Sequence, residues 1–247
     1  FMTENSFSNA GEIDLQKRAV EQNFKKICAN MAAAAQRSGR DPKSVTLLAA
    51  TKTVCPEVIN YAIELGVPCI GENRVQEFLQ KLPQLQGGAR RDFIGHLQTN
   101  KVKDIVGKVA MIHSVHSLKL AREVGKVSEK LGLNTPVLLE VNLAGEESKS
   151  GFLKEQLPEA LPEIAKIKGI TVRGLMAIPP ICENNEKNRP YFKELHKLFV
   201  DIGTKKIDNI YMEHLSMGMS DDYETAIEEG ATIIRVGTAL FGRRVYQ

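Results

Sequence analysis

The sequence has no tryptophan, few aromatic residues and little cysteine. Aromatic residues make up 6% of the 247 positions, and the four cysteines are Cys28, Cys55, Cys69 and Cys182. The cysteines are scattered, with no C-x-x-C pair and no histidine at metal-ligand spacing, which argues against a zinc site and a disulfide framework. We therefore expect reduced thiols and no bound metal, as is usual for a cytoplasmic protein.

The sequence also lacks an excess of charge of one sign and any long apolar run. Lys and Arg number 33 against 30 Asp and Glu, so the formal net charge is +3. A nucleic-acid-binding protein usually has a clear basic excess, and a membrane-spanning helix needs about 20 consecutive apolar residues. The N-terminal residues do not have the pattern of a secretory signal. We predict a cytoplasmic protein without a nucleic-acid or membrane partner.

Hydrophobic residues are 43% of the chain and charged residues 26%, as in ordinary globular proteins. Residues 1–11 are polar and are predicted to form a flexible tail, whereas 12–247 are predicted to form a single domain. This domain begins with an amphipathic helix over 12–38, which Gly39 ends.

Eight short apolar runs follow, and helix-length polar segments separate them. The runs lie at 45–52, 67–73, 91–97, 110–115, 136–142, 170–178, 209–216 and 231–237. Near-continuous apolar strands are typical of parallel sheets that helices cover. Eight such units predict an α/β protein, a single (β/α)8 TIM-like barrel with an extra N-terminal helix. An open doubly wound sheet is the alternative, but it favours a glycine-rich turn after the first strand, and ATKTVCPE stands there.

The active sites of such barrels lie at the C-terminal ends of the strands, and three features stand out there. Lys52 ends the first apolar run, where a lysine can serve as a nucleophilic amine or merely extend to water. Ser216, Gly237 and Thr238 follow the last two strands, where backbone N–H groups often bind phosphate. The glycine at that place could equally serve only a tight turn.

Arg235 is the third feature, because it interrupts the apolar strand IIRVG. A buried arginine needs an acceptor, which could be a ligand or a structural partner such as Glu140 or Glu213. His96 is a weaker candidate, since a histidine at a strand end is often only a hydrogen-bonded core residue.

Several strings resemble the pyridoxal 5′-phosphate homeostasis (PLP-binding) proteins, which are related to the N-terminal barrel domain of alanine racemase. The similar segments are AATKTVCPEVI, IGENRVQEF, DFIGHLQTNKVK, VNLAGEESKSGF, VRGLMAI, LSMGMSDDYETAIEEGAT and IRVGTALFG. They spread over residues 45–242 in the order of the family. The resemblance implies a fold-type III barrel that binds pyridoxal 5′-phosphate.

The resemblance also implies roles for individual residues. Lys52 looks like the lysine that forms the Schiff base with the cofactor, and Arg235 resembles the arginine at the pyridine nitrogen. The expected phosphate cradle is Ser216, Gly237 and Thr238, the residue near the ring hydroxyl is Asn73, and the pocket walls are His96 and Met217.

Two functions remain open. The favoured one is a monomeric cytoplasmic protein, a carrier rather than an enzyme, that holds pyridoxal phosphate and delivers it, with apo-enzymes as recipients. The alternative is a PLP-dependent amino-acid racemase of the alanine racemase type, which needs a base on each side of the reacting carbon. Lys52 supplies one base, and the sequence does not indicate a second. A sugar-phosphate enzyme on the same barrel is a third reading, which the strings argue against.

Overall fold

The fold was analysed in a computed structural model, which describes residues 4–146, 149–180 and 185–242. The strands are β1 Thr46–Ala50, β2 Cys69–Glu72, β3 Arg90–Phe93, β4 Met111–Val115, β5 Thr135–Asn142, β6 Phe152–Leu153, β7 Ile170–Met176, β8 Ile210–Ser216 and β9 Ile233–Val236. The helices are α1 Glu4–Arg37, α2 Pro56–Glu64, α3 Val75–Lys81, α4 Val102–Ile105, α5 Leu118–Lys130, α6 Leu157–Ala165, α7 Arg189–Thr204, α8 Tyr223–Glu228 and α9 Thr238–Phe241.

Eight of the strands form a closed parallel barrel. The order around the barrel is β1, β2, β3, β4, β5, β7, β8 and β9, and β9 pairs with β1 to close it. The short strand β6 pairs only with β5, outside this ring. The predicted (β/α)8 barrel with an extra N-terminal helix is therefore confirmed.

Alternate residues of each strand face either the barrel interior or the surrounding helices, because side chains alternate along a strand. Leu48 and Ile233 pack together in one buried cluster, whereas Leu47 and Ile234 belong to the large cluster that includes the helices. Burial on both faces explains why the strands read as continuous apolar runs.

Helix α1 begins earlier than predicted. It starts at Glu4 rather than at residue 12, so 4–11, most of the predicted tail, are helical. The polar residues there have no apolar periodicity, but they include no proline and therefore nothing that stops a helix from extending. Residues 1–3 and Cys182 lie outside the described residues.

The extra helix packs across the outside of the barrel on α2, α8 and α9. Its apolar side buries Val20 and Ile27. Asn23 Nδ2 donates to the Leu240 carbonyl at 3.0 Å, and Asn30 Nδ2 donates to the Tyr223 hydroxyl at 3.0 Å. The first helix of the chain is thus fixed to its last two helices. Throughout the described residues, no helix combines the length and apolarity that crossing a membrane requires.

Candidate functional site

The C-terminal ends of the strands bring the predicted site residues to one mouth of the barrel. Lys52 follows β1, Asn73 follows β2, and Ser216 ends β8. Arg235 lies within β9, in register with Leu48 of the neighbouring β1. Lys52 is therefore nearer the mouth than Arg235, on the adjacent strand.

The Lys52 side chain is half-buried. Its amine forms no hydrogen bond or ion pair with any residue that the structure describes. The backbone around it is held firmly, since Thr51 is fully buried and Thr53 adopts a positive φ of 64°. The result is an amine without a partner on a fixed turn, as a covalent attachment site requires.

A buried ionic cluster contacts the turn around Lys52 and holds it in place. Lys81 Nζ, on α3, donates to the Thr51 carbonyl at 2.8 Å, to Glu72 Oε1 at 2.7 Å and to Glu77 Oε1 at 2.6 Å. The backbone N–H of Thr53 also donates to Glu77. Burial raises the pKa of Glu72, although its contacts with Lys81 and Thr51 oppose this shift. We call Lys81, Glu72 and Glu77 the α3 clamp.

Arg235 is buried inside the barrel without a carboxylate partner among the described residues. Its Nη1 donates to Ser216 Oγ at 2.7 Å, and its Nη2 donates to the Ala177 carbonyl at 2.9 Å. Burial lowers its pKa to about 10, while the more distant charges of Asp222 and Glu140 oppose the shift. The structural ion pair considered from the sequence is absent here, since Glu213 pairs with Arg173 instead.

The Ser216 hydroxyl also contacts His113, which was not predicted as a site residue. His113 Nδ1 lies 3.1 Å from Ser216 Oγ, and its Nε2 lies 3.0 Å from Asp92 Oδ2. Burial lowers the pKa of His113, and Asp92 only partly offsets this. Burial alone would raise the pKa of Asp92, but His113 and Arg90 bring it below its ordinary value.

The loops after β8 and β9 form a second part of the site. Ser220 Oγ accepts from the backbone N–H of Gly237 at 3.3 Å and of Ala239 at 3.1 Å. The loop passes so close to α8 that a Cβ on Gly218 would lie 2.5 Å from the Ala226 Cβ, and Gly218 has a φ of 88°. These amides could bind an anion such as phosphate. The exposed Thr238 lies beside them.

Ser220 is a residue that the sequence reasoning missed. Ser216 was expected in the phosphate cradle, but its hydroxyl is fully buried against Arg235 and His113. The segment SMGMS has a serine at each end, and the residue nearer the amides is the second one. That second serine was the available signal.

Asn73 and His96 line a cavity of about 250 Å³ at the mouth, together with Ser114, Glu140, Asn142 and Lys149. The His96 ring stacks on that of His116 with centroids 4.5 Å apart. Glu140 Oε2 is buried and has no hydrogen-bond partner among the described residues, and burial raises the pKa of this carboxyl, which Arg235 partly opposes. Met217, in contrast, is fully buried in the cluster that packs against the helices, which does not support a pocket wall made by its side chain.

Comparisons with known proteins identify the family of this chain. The family model of the N-terminal domain of alanine racemase matches residues 22–245. A pyridoxal phosphate homeostasis protein of Aquifex aeolicus is 45% identical over 226 residues, which cover 91% of this chain and 98% of the relative. The chain belongs to the pyridoxal phosphate homeostasis protein family.

Solved structures with a similar fold include the following two. PipY of Synechococcus elongatus, a structure with PLP bound, has a TM-score of 0.79 and 31% identity, and the match covers 90% of this chain and all of PipY, 100%. An alanine racemase of Clostridium difficile has a TM-score of 0.69 but only 16% identity, so it shows the fold alone. This chain covers 57% of that racemase.

Proposed function

We propose that this protein binds pyridoxal phosphate at the barrel mouth, with Lys52 as the covalent attachment site, and acts in intracellular homeostasis and delivery of the cofactor. The main observation in support of the proposal is that two groups lie at the same end of the barrel. These are an unpartnered amine at Lys52 and a buried guanidinium at Arg235 without a carboxylate partner. The relative PipY, with PLP bound, supports the choice of ligand.

The residues present fit the cofactor. Pyridoxal phosphate supplies an aldehyde, and a neutral amine joins it as a Schiff base with loss of one water. Lys52 offers that amine on a turn that the α3 clamp holds. The amides of Gly237 and Ala239, with the Ser220 hydroxyl, offer hydrogen bonds to a phosphate. Asn73 lies at the mouth for a polar contact with the ring substituents.

Arg235 would restrain the side reactions of a bound cofactor, which suits a carrier and also a racemase. A guanidinium stays charged and can only donate hydrogen bonds, so an acceptor facing it is kept unprotonated. An acidic residue at that place would instead favour a protonated ring nitrogen and strong electron withdrawal. The arginine therefore suits a carrier that restrains side reactions and hands the cofactor to apo-enzymes.

Reductive trapping tests the attachment site. Purified protein is incubated with pyridoxal phosphate, its absorption spectrum is recorded, and borohydride reduction is followed by peptide mass mapping. We expect a yellow protein with the adduct on Lys52 and no adduct in Lys52→Ala. The matched control is Lys101→Ala, which removes a lysine from a cleft beside the mouth and should still give the adduct. Normal attachment in Lys52→Ala would overturn the assignment.

Two assays separate the carrier from the racemase. The loaded protein is incubated with a panel of L-amino acids, and chiral chromatography measures the D-isomers. It is also mixed with an apo-form of a PLP-dependent enzyme, whose recovered activity measures delivery. The proposal expects delivery without racemisation, and fast racemisation would favour the enzyme.

A further inference from the structure

A column of buried polar side chains crosses the barrel interior from its N-terminal end to the site. Arg90 Nη2 donates to Asp92 Oδ2 at 2.8 Å, and the same oxygen lies 3.0 Å from His113 Nε2. His113 Nδ1 lies 3.1 Å from Ser216 Oγ, which accepts from Arg235 at 2.7 Å. His113 and Ser216 are fully buried, and Asp92 is 1% exposed.

With Arg235 charged, Asp92 ionised and His113 neutral, only one arrangement of hydrogens satisfies the contacts from Asp92 to Arg235. Arginine has no acceptor, so Ser216 Oγ must accept from Arg235 and has its own hydrogen left to donate. An ionised Asp92 accepts, so it takes the hydrogen of His113 Nε2. His113 Nδ1 then has a lone pair, which accepts from the Ser216 hydroxyl. The lowered pKa of the buried His113 agrees with a neutral ring.

This arrangement fixes the direction of Arg235. In this arrangement the Ser216 hydroxyl donates its hydrogen to His113 Nδ1 and accepts from the guanidinium of Arg235 with a lone pair. Asp92 in turn selects the tautomer of His113, as carboxylates do for histidines elsewhere. Removing the negative charge of Asp92 weakens this selection and frees Ser216 Oγ to rotate.

We propose that Asp92 and His113 are positioning residues for the ligand site, which act through Ser216 on the guanidinium of Arg235. The inference rests on the proposed function, in which Arg235 meets the cofactor ring. It goes further because it assigns a role at the site to two residues that are deep in the barrel. A pair that serves only to stabilise the fold would have no such connection to the ligand.

A double-mutant cycle tests the connection. Asp92→Asn keeps the shape of the side chain but removes its charge, and Ser216→Ala removes the link to Arg235. We expect Asp92→Asn to shift the absorption band of the loaded protein and to speed release of pyridoxal phosphate about two- to tenfold. In the Ser216→Ala background, Asp92→Asn should have no further effect on either quantity.

Ser128→Ala is the matched control for Ser216→Ala. Ser128 is also fully buried, and its hydroxyl lies 2.6 Å from Thr135 Oγ1, far from Arg235 in the fold. The control should lower thermal stability while leaving the spectrum and the release rate as in the wild type. His113→Gln repeats the comparison if Asp92→Asn does not fold.

The outcomes distinguish this inference from the proposed function. If the wild type takes up no pyridoxal phosphate, both are overturned. If the wild type loads normally, additive effects of Asp92→Asn and Ser216→Ala overturn only the positioning role. The same holds if Asp92→Asn lowers the melting temperature but leaves the spectrum and the release rate unchanged.

Discussion

Two hydroxyl side chains, those of Ser220 and Thr238, stand next to the amides that follow β9, but they differ in what they contact. Ser220 Oγ accepts from two backbone N–H groups, those of Gly237 and Ala239. The Thr238 side chain is exposed and makes no hydrogen bond within the described part of the chain. The Ser220 hydroxyl accepts from these amides and keeps its own hydrogen, which it can donate to a bound phosphate.

We predict that Ser220→Ala weakens the binding of pyridoxal phosphate about tenfold, because one hydrogen bond to a charged group is lost. Absorbance titration at equilibrium measures this as a change in Kd. Thr204→Ala, which removes an exposed hydroxyl from the end of α7, serves as the control and should change Kd less than about twofold. Equal effects of the two substitutions would contradict the placement of Ser220 in the cradle.

Lys52 and Arg235 could be predicted from the sequence because each interrupts or ends one apolar run, so a single segment contains the signal. The column of Asp92, His113 and Ser216 could not. Asp92 and His113 are 21 residues apart, and His113 and Ser216 are 103 residues apart. Only barrel closure brings these side chains together.

At the level of elements, α3 and the turn after β1 are joined by the α3 clamp. Lys81 and Glu72 have side chains only 9% and 2% exposed, so the pair is removed from water. Removing one partner of a buried pair leaves the other charge without compensation, which is strongly destabilising. The clamp therefore connects the stability of α3 to the geometry of Lys52.

We predict that Lys81→Met lowers the free energy of unfolding by about 3–5 kcal/mol near neutral pH, measured by urea denaturation. The loss should shrink as the pH falls towards about 4.5, because Glu72, whose pKa burial raises, then takes up a proton in the folded state. Lys154→Met, which breaks an exposed pair with Glu194, is the control and should change little. A loss that grows on acidification would contradict this account.

All eight barrel strands could be predicted because most are compact apolar runs between polar helices, and the charged β3, Arg90–Phe93, leads directly into an apolar segment. The elements that were missed are β6, with two residues, and α4, with four. A strand of two residues and a helix of four are too short for side chains to repeat along them, so neither leaves a periodic pattern in the sequence. Their positions depend on contacts with the finished barrel.

On the scale of the whole molecule, three of the five histidines have pKa values that burial lowers: His113, His116 and His214. In the unfolded chain these rings take up protons as the pH falls through about 6.5. The folded protein takes them up only at lower pH. The unfolded state then binds more protons, so the stability falls on acidification.

We predict that His113→Gln reduces the loss of stability between about pH 7.5 and about pH 5.5 by about 1 kcal/mol. Urea denaturation at both pH values measures it, and comparison with the wild type cancels the contributions of the carboxylates that do not contact His113. Ser128→Ala, which changes a buried side chain without a titratable group, is the control and should keep the pH dependence of the wild type. An unchanged pH dependence in His113→Gln would contradict a neutral, buried ring.

The docking of α1 on α8 and α9 has a consequence for biosynthesis. The contact between Asn23 and Leu240 joins positions 217 residues apart, and a ribosome adds about 5–20 residues per second. About 10–40 s therefore pass between the synthesis of α1 and the synthesis of the helices on which it docks. During that interval the apolar side of α1, which includes Val20 and Ile27, lacks the cover that α8 and α9 provide, so the emerging chain exposes an apolar stripe to chaperones until those two helices have been made.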